Sequence, residues 1–169
     1  MAITGNIKAI FAIKQTLAGD LSTPVDDADI KSAWTVTDGT VANQADLFYH
    51  DQRTIANGAN DDLDLAGVLT DKFGSVITFA RVKALYVSAA AANVALVTIG
   101  GAASNAWSPI FSDSSDKIIL RPGGFVLLGA PEATAYAVTA GTADQLRISH
   151  DGSDSTSVIY DIAIIGASS

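Results

Sequence analysis

The stretch Val158-Ile159-Tyr160-Asp161-Ile162-Ala163-Ile164-Ile165 decides the fold class. Alternation puts Val158, Tyr160, Ile162 and Ile164 on one side, the period-2 pattern of a strand with one buried face. A carboxylate buried without a partner is costly. Asp161 is therefore expected to face outward, the other solution being a cation such as Arg81 or Arg147. Moving back along the chain, residues 146–149 alternate and run into the turn pair Asp151-Gly152. Residues 135–139 alternate and stop near Gly141. Residues 117–120 and 125–128 flank Arg121-Pro122-Gly123-Gly124, which reads as a bend between two halves of a strand. Residues 94–99 stop at Gly100-Gly101, and residues 75–87 are rich in Val, Ile, Phe and Tyr. Shorter runs at 46–50 and 34–37 follow, the second closed by Asp38-Gly39. At the start, Ile7, Ala9, Phe11 and Ile13 alternate with Lys8, Ile10, Ala12 and Lys14.

Short strands with turn signals at roughly 8–12-residue spacing predict an all-β chain, an antiparallel sandwich or a barrel. Helical signal is thin. Residues 26–32 are expected to form one turn, with Asp26 or Asp27 as N-cap, and residues 61–73 a short helix or 3₁₀ turn. Residues 89–93 read as a hairpin connection. The expectation is thus a β-sandwich with one or two short helical turns.

Composition agrees. Of the 18 acids 17 are Asp, and only Glu132 is Glu. Asp favours caps and turns, where its short carboxylate bonds nearby backbone N–H groups. Hydrophobic residues make up 49% of the 169, enough for a core in one domain. The formal charge of −8 argues against nucleic acid, which needs clustered cations. Cys is absent, which removes disulfides, thiolate nucleophiles and Cys-ligated zinc. No apolar run reaches the ~20 residues of a helical span, so no membrane partner is expected. Residues 1–8 lack a basic region followed by an apolar one, so no secretory signal is expected and the chain is read as made in a cytoplasm.

Candidate chemistry is sparse. His50-Asp51 and His150-Asp151 are the only histidine–carboxylate neighbours, but no Gly-x-Ser-x-Gly elbow accompanies them. A hydrolase needs a nucleophile in reach of the imidazole, so no enzyme and no catalytic residue is expected. Asp151-Gly152-Ser153-Asp154-Ser155 holds the residue types calcium prefers, but not the spacing of an EF-hand. Asp151 and Asp154 are the best metal candidates, against a plainer role in closing the turn. No cofactor is expected. Trp34, Trp107 and Tyr49 offer a platform for sugar, against a plainer role in packing. A calcium-dependent carbohydrate-binding module for host attachment is the competing reading.

Residues 50–56 (HDQRTIA), 62–74 (DLDLAGVLTDKFG) and 77–87 (ITFARVKALYV) resemble small virion structural proteins of tailed bacteriophages. The similarity extends through 97–101 (VTIGG), 120–125 (LRPGGF) and 159–166 (IYDIAIIG), and covers the chain from Trp34 onward. It implies a jelly-roll-like sandwich with a non-enzymatic role in the virion. A head decoration or cement protein is the expected kind, with a tail or head-spike component as the other. Such a protein reinforces a capsid by many weak contacts that add through avidity. A homotrimer is implied, with the major capsid protein or another virion protein as partner. The resemblance carries over no functional residue.

The apolar, charge-poor composition suits a chain that buries surface against its own copies. Residues 1–25 are expected to be a strand or arm with a linker from 18, and residues 26–169 a single sandwich domain. Ile3, Ile7, Phe11 and Ile13 are the expected oligomer or capsid contacts, pairing with a neighbour's sheet edge.

Overall fold

A computed structural model describes residues 2–169. The chain is all-β, with three antiparallel sheets and, among the described residues, no helix. β1 (Gly5–Thr16) and β2 (Val25–Val36) form a separate two-stranded ribbon. A five-stranded sheet has the order β3 (Leu47–Ile55), β11 (Val158–Ala167), β5 (Arg81–Ala89) and β8 (Phe125–Gly129), with β9 (Tyr136–Ala137) also on β5. A four-stranded sheet has the order β4 (Asn60–Asp64), β10 (Gln145–His150), β6 (Val97–Gly100) and β7 (Lys117–Leu120).

Both larger sheets feed one buried cluster. β11 turns Val158, Tyr160, Ile162 and Ile164 into it, all 2% exposed or less. β5 adds Leu85 and Val87, and the four-stranded sheet adds Leu63, Val97, Ile99, Leu146 and Ile148. At ~25 cal/mol per Å² of apolar surface, each such Leu, Ile or Val contributes roughly 1.5–3 kcal/mol. Asp161 faces outward as expected and accepts a hydrogen bond from Gln52 Nε2 at 2.8 Å.

Two expected helical turns are strands or strand ends. Residues 26–32 lie inside β2, paired residue for residue with β1 from Gln15↔Asp26 to Ala9↔Ser32. Ladder pairing overrides the capping tendency of Asp here, because strand formation depends on context more than on local propensity. In residues 61–73, Leu63 and Leu65 are both buried. Their spacing of two is that of a strand, and β4 ends there. Asp64 then accepts from the Ala66 N–H at 2.8 Å, and Asp71 from those of Phe73 and Ser75 at 2.9 and 2.8 Å. Residues 90–96 do not close a hairpin, since β5 and β6 belong to different sheets. The same holds for residues 121–124: β7 and β8 are in different sheets, and Gly123 takes φ 76° at the crossing.

A polar clamp joins the two sheets. Arg53 on β3 donates Nε to Asp61 Oδ2 (2.5 Å) and Nη2 to Asp61 Oδ1 (2.9 Å), with Asp61 on β4. Fully buried Tyr160 donates its hydroxyl to Asp61 Oδ2 at 2.8 Å. Burial pushes the Tyr160 phenol far above its ordinary value, and its hydrogen bond to Asp61 adds to that. A phenol whose pKa is raised on folding stabilises fully below its unfolded value of 10.0 and loses that contribution as pH rises beyond it. Tyr160→Phe should therefore cost about 1–2 kcal/mol at neutral pH. It should also flatten the decline in stability above pH 10, as read by urea melts at stepped pH.

Candidate functional site

The ribbon of β1 and β2 is the part of the fold whose surface lacks an intramolecular partner. It spans Gly5↔Val36 to Thr16↔Val25 without a register break, and the Leu17 N–H donates to the Pro24 carbonyl at 3.1 Å where the loop closes. At ~3.3 Å per residue, a 12-residue strand is ~40 Å long.

Directly paired residues share a face, so the register sorts the side chains. One face carries Ile7, Ala9, Phe11 and Ile13 from β1, and Ala28, Ile30, Trp34 and Val36 from β2. The other carries Asn6, Lys8, Lys14, Asp27, Asp29, Lys31 and Thr35, with Ile10, Ala12, Ala33 and Val25 among them. Lys31 pairs with Asp29 at 2.5 Å, and Thr35 donates to Asn6 Oδ1 at 3.1 Å. The ribbon is therefore amphipathic, with one charged face and one face that is apolar apart from Ser32 and, at its tip, Gln15 and Asp26.

Only the root of the apolar face is covered. Val36, Ala45, Ala84 and Ile165 form a second buried cluster, with Ile3, Ile7 and Trp34 packed against it. Trp34 lies on Gly129 of β8, where an added Cβ would come within 2.5 Å of the indole ring. The adjoining loop is pinned by Lys83, which is buried and donates to the carbonyls of Thr40 and Val41. Lys83 is the extra residue of a β-bulge, since Ala84 pairs with Ile165 while Val82 pairs with Gly166. Desolvation holds its ammonium below the usual lysine value. Beyond the root, Phe11 is 59% exposed and Ile30 65%.

The expected contact residues divide between these zones. Ile3 and Ile7 are half-buried at the root, while Phe11 and Ile13 stand exposed on the same face. The expected linker is the hairpin loop, and residues 26–36 complete the ribbon instead of opening the body. Ile30 and Trp34 share the apolar face, and their alternation with Ala28 and Val36 is the signal for it in the sequence, competing with the capping tendency of Asp26 and Asp27.

A second, partly exposed apolar surface adjoins the root. The face of the five-stranded sheet turned away from the core presents Tyr86 of β5, Phe125 and Leu127 of β8, and Ala163 of β11. Tyr86 and Phe125 rings lie 6.3 Å apart, and Phe125 is 67% exposed. Across β3, His50 stacks on Phe48 at 4.9 Å.

The remaining candidates make local contacts, with Asp154 Oδ2 left buried without a partner among the described residues. Asp151 Oδ1 accepts from the N–H and hydroxyl of Ser153 (3.1 and 2.8 Å), and Asp154 Oδ1 from those of Thr156 (2.7 and 2.8 Å). Between them His150 is buried, its Nε2 2.9 Å from the Thr156 carbonyl and its Nδ1 accepting from the Gly152 N–H at 2.8 Å. Among the described residues no three His, Asp or Glu side chains converge as a metal set. His50 and Asp51 point to opposite faces of β3. Asp51 lies with Tyr49, Arg53 and Lys72, and the Arg53 Nη1–Asp51 and Lys72 Nζ–Asp51 ion pairs are 3.5 and 3.6 Å. Trp107 is 1% exposed and donates Nε1–H to the Ala137 carbonyl at 2.9 Å, so it forms no sugar platform. No protein-family model, curated protein or solved structure matches the chain.

Trp34→Ala should loosen the ribbon from the body. Amide exchange across Gly5–Thr16 should speed up while the body loses about 1–2 kcal/mol, below the cost of emptying a fully buried aromatic site. Gly129→Val should do the same without touching the ribbon. Unchanged exchange in both variants would show that Trp34 does not hold the arm.

Proposed function

We propose that the chain is a non-enzymatic structural subunit that assembles through its β1–β2 arm, serving a tailed-bacteriophage virion as a capsid decoration or cement protein. The observation that carries the assembly reading is the arm's apolar face. A two-stranded ribbon is marginal alone in water, and this one exposes Phe11, Ile13 and Ile30 together. Such a face lowers its free energy by being covered. The virion setting rests on the sequence resemblance from Trp34 onward.

The body is read as a jelly-roll sandwich. The pairing pattern supports this. Taking β9 aside, the eight body strands pair first with last (β3·β11), second with seventh (β4·β10), third with sixth (β5·β8) and fourth with fifth (β6·β7). That is a long antiparallel ribbon rolled up, with β11·β5 and β10·β6 closing the two sheets. The shared core fits face-to-face packing of those sheets. In this reading the sandwich is a rigid mount and the arm is the coupling. A closed homo-oligomer, a trimer by the resemblance, would present several capsid-facing surfaces at once and gain from avidity.

Light scattering after size exclusion should give a mass that is a multiple of the chain's, the same in EDTA and in calcium. Phe11→Lys/Ile30→Glu, at exposed positions that leave the fold intact, should give the monomer. The wild-type protein should co-sediment with purified phage heads and the double variant should bind them far less. A wild-type monomer that ignores heads would overturn the reading.

A further inference from the structure

We infer that the arm's apolar face is covered by the outer face of the five-stranded sheet of a second copy of this chain, at Tyr86, Phe125, Leu127 and Ala163. The inference rests on the assembly reading above and names its partner surface.

Both halves of a dry interface are present on one chain. The arm face carries no charge from Ile7 to Ile13 or from Ala28 to Val36, because the register puts Lys8, Lys14, Asp27, Asp29 and Lys31 on the opposite side. On the sheet patch Tyr86, Phe125, Leu127 and Ala163 sit with Ser88 and Ala84, and the one carboxylate on that face, Asp161, lies at its margin beside Ser88, bonded to Gln52. With Asp161 left at the rim on Gln52, the apolar side chains of the two surfaces meet without desolvating an ion, the large cost in most misplaced contacts. At −8 per copy, that matters, since assembly must bring like-charged bodies together.

The two surfaces are continuous. Trp34 on Gly129 and Val36 against Ala84 and Ile165 mark where the arm face passes into the sheet face. A chain's own arm covers its sheet only at that point, since Phe11, Ile13 and Ile30 remain exposed beyond it. An arm of ~40 Å exceeds the ~18 Å radius of a body of this size and so reaches a neighbour. Each copy donates one arm and receives one, a head-to-tail exchange that satisfies every copy when its rotation closes into a ring.

The areas suit a weak contact that gains from repetition. Beyond the root, the pairs from Ala9↔Ser32 to Thr16↔Val25 make a free face ~26 Å long and ~10 Å wide, ~260 Å². Covering that face and an equal area of sheet buries ~500 Å² per copy, below the ~800 Å² each partner gives to a standard interface. Face packing also fits the ribbon's edges better than strand addition does. Lys8 and Lys14 on β1, with Asp27 and Asp29 on β2, are the charged side chains that protect open edges from pairing.

The chain lacks cysteine, so engineered thiols report contacts cleanly. Phe11→Cys protein mixed with Leu127→Cys protein and oxidised should give a disulfide-linked dimer on a non-reducing gel, and Phe125→Cys should substitute for Leu127→Cys. The band should be lost with Lys8→Cys on the arm's charged face, or with Ile119→Cys on the other sheet. Leu127→Arg should shift the mass to the monomer with its melting transition retained. Self-linking of Phe11→Cys through two arms would overturn the inference. So would linking to Phe73→Cys, in the groove of about 570 Å³ lined by Ile3, Phe48, Phe73 and Val76. An oligomer that links at none of these sheet positions overturns this seat alone. A monomer at every concentration, with no binding to heads, overturns the assembly reading with it.

Discussion

Burial of the inner face of β11, together with its outward Ile165, is the constraint from which the rest follows. Its inward residues Val158, Tyr160, Ile162 and Ile164 complete the core shared by two sheets. Its outward Ile165 completes the cluster that receives Val36, Ile7 and Trp34. One strand therefore holds the body together and holds the arm to the body. The bulge at Lys83 opposite Ile165 and Gly166 lets β5 follow β11 at that point, and sends a buried ammonium under the carbonyls of residues 40 and 41. The arm's position is set by these contacts, because its own ladder fixes only its shape.

The strands of the second half were legible because each is a short apolar or alternating run closed by a turn signal. Residues 117–120, 125–128, 146–149 and 158–165 all lie in strands. β2 and β4 were not legible as such. Their Asp residues satisfy the local rule for a helix cap, while the evidence for a strand lay in partners far away in the chain or across a turn. The arm was visible as one strand only, since nothing local in residues 18–25 distinguishes a hairpin loop from a linker. The crossings at 90–96 and 121–124 read as local bends because a turn sequence does not reveal which sheet the next strand joins.

The Asp-rich composition acquires a meaning once each carboxylate is placed. Asp64, Asp71, Asp113, Asp151 and Asp154 accept backbone N–H groups of the turns they sit in. Asp61 and Asp62 take Arg53 and Arg147, each through two hydrogen bonds. The Arg147 guanidinium holds the Asp62 carboxyl below its ordinary range. These groups are engaged in shaping loops and joining strands. The outer sheet patch was invisible in the sequence for a related reason: Tyr86, Leu127 and Ala163 become neighbours only through the β8–β5–β11 register.

The arm and its root also differ in when they can form. β1 and β2 meet across a short loop, so the ribbon closes on local contacts, the quick kind in folding. Its root needs Ile165, which a ribosome delivers long after Val36. During synthesis the apolar ribbon therefore exists before the surface that aims it. Docking of the arm is a checkpoint on completion of the chain: a truncated product retains the adhesive ribbon without the mount that directs it, and is the species most exposed to wrong association.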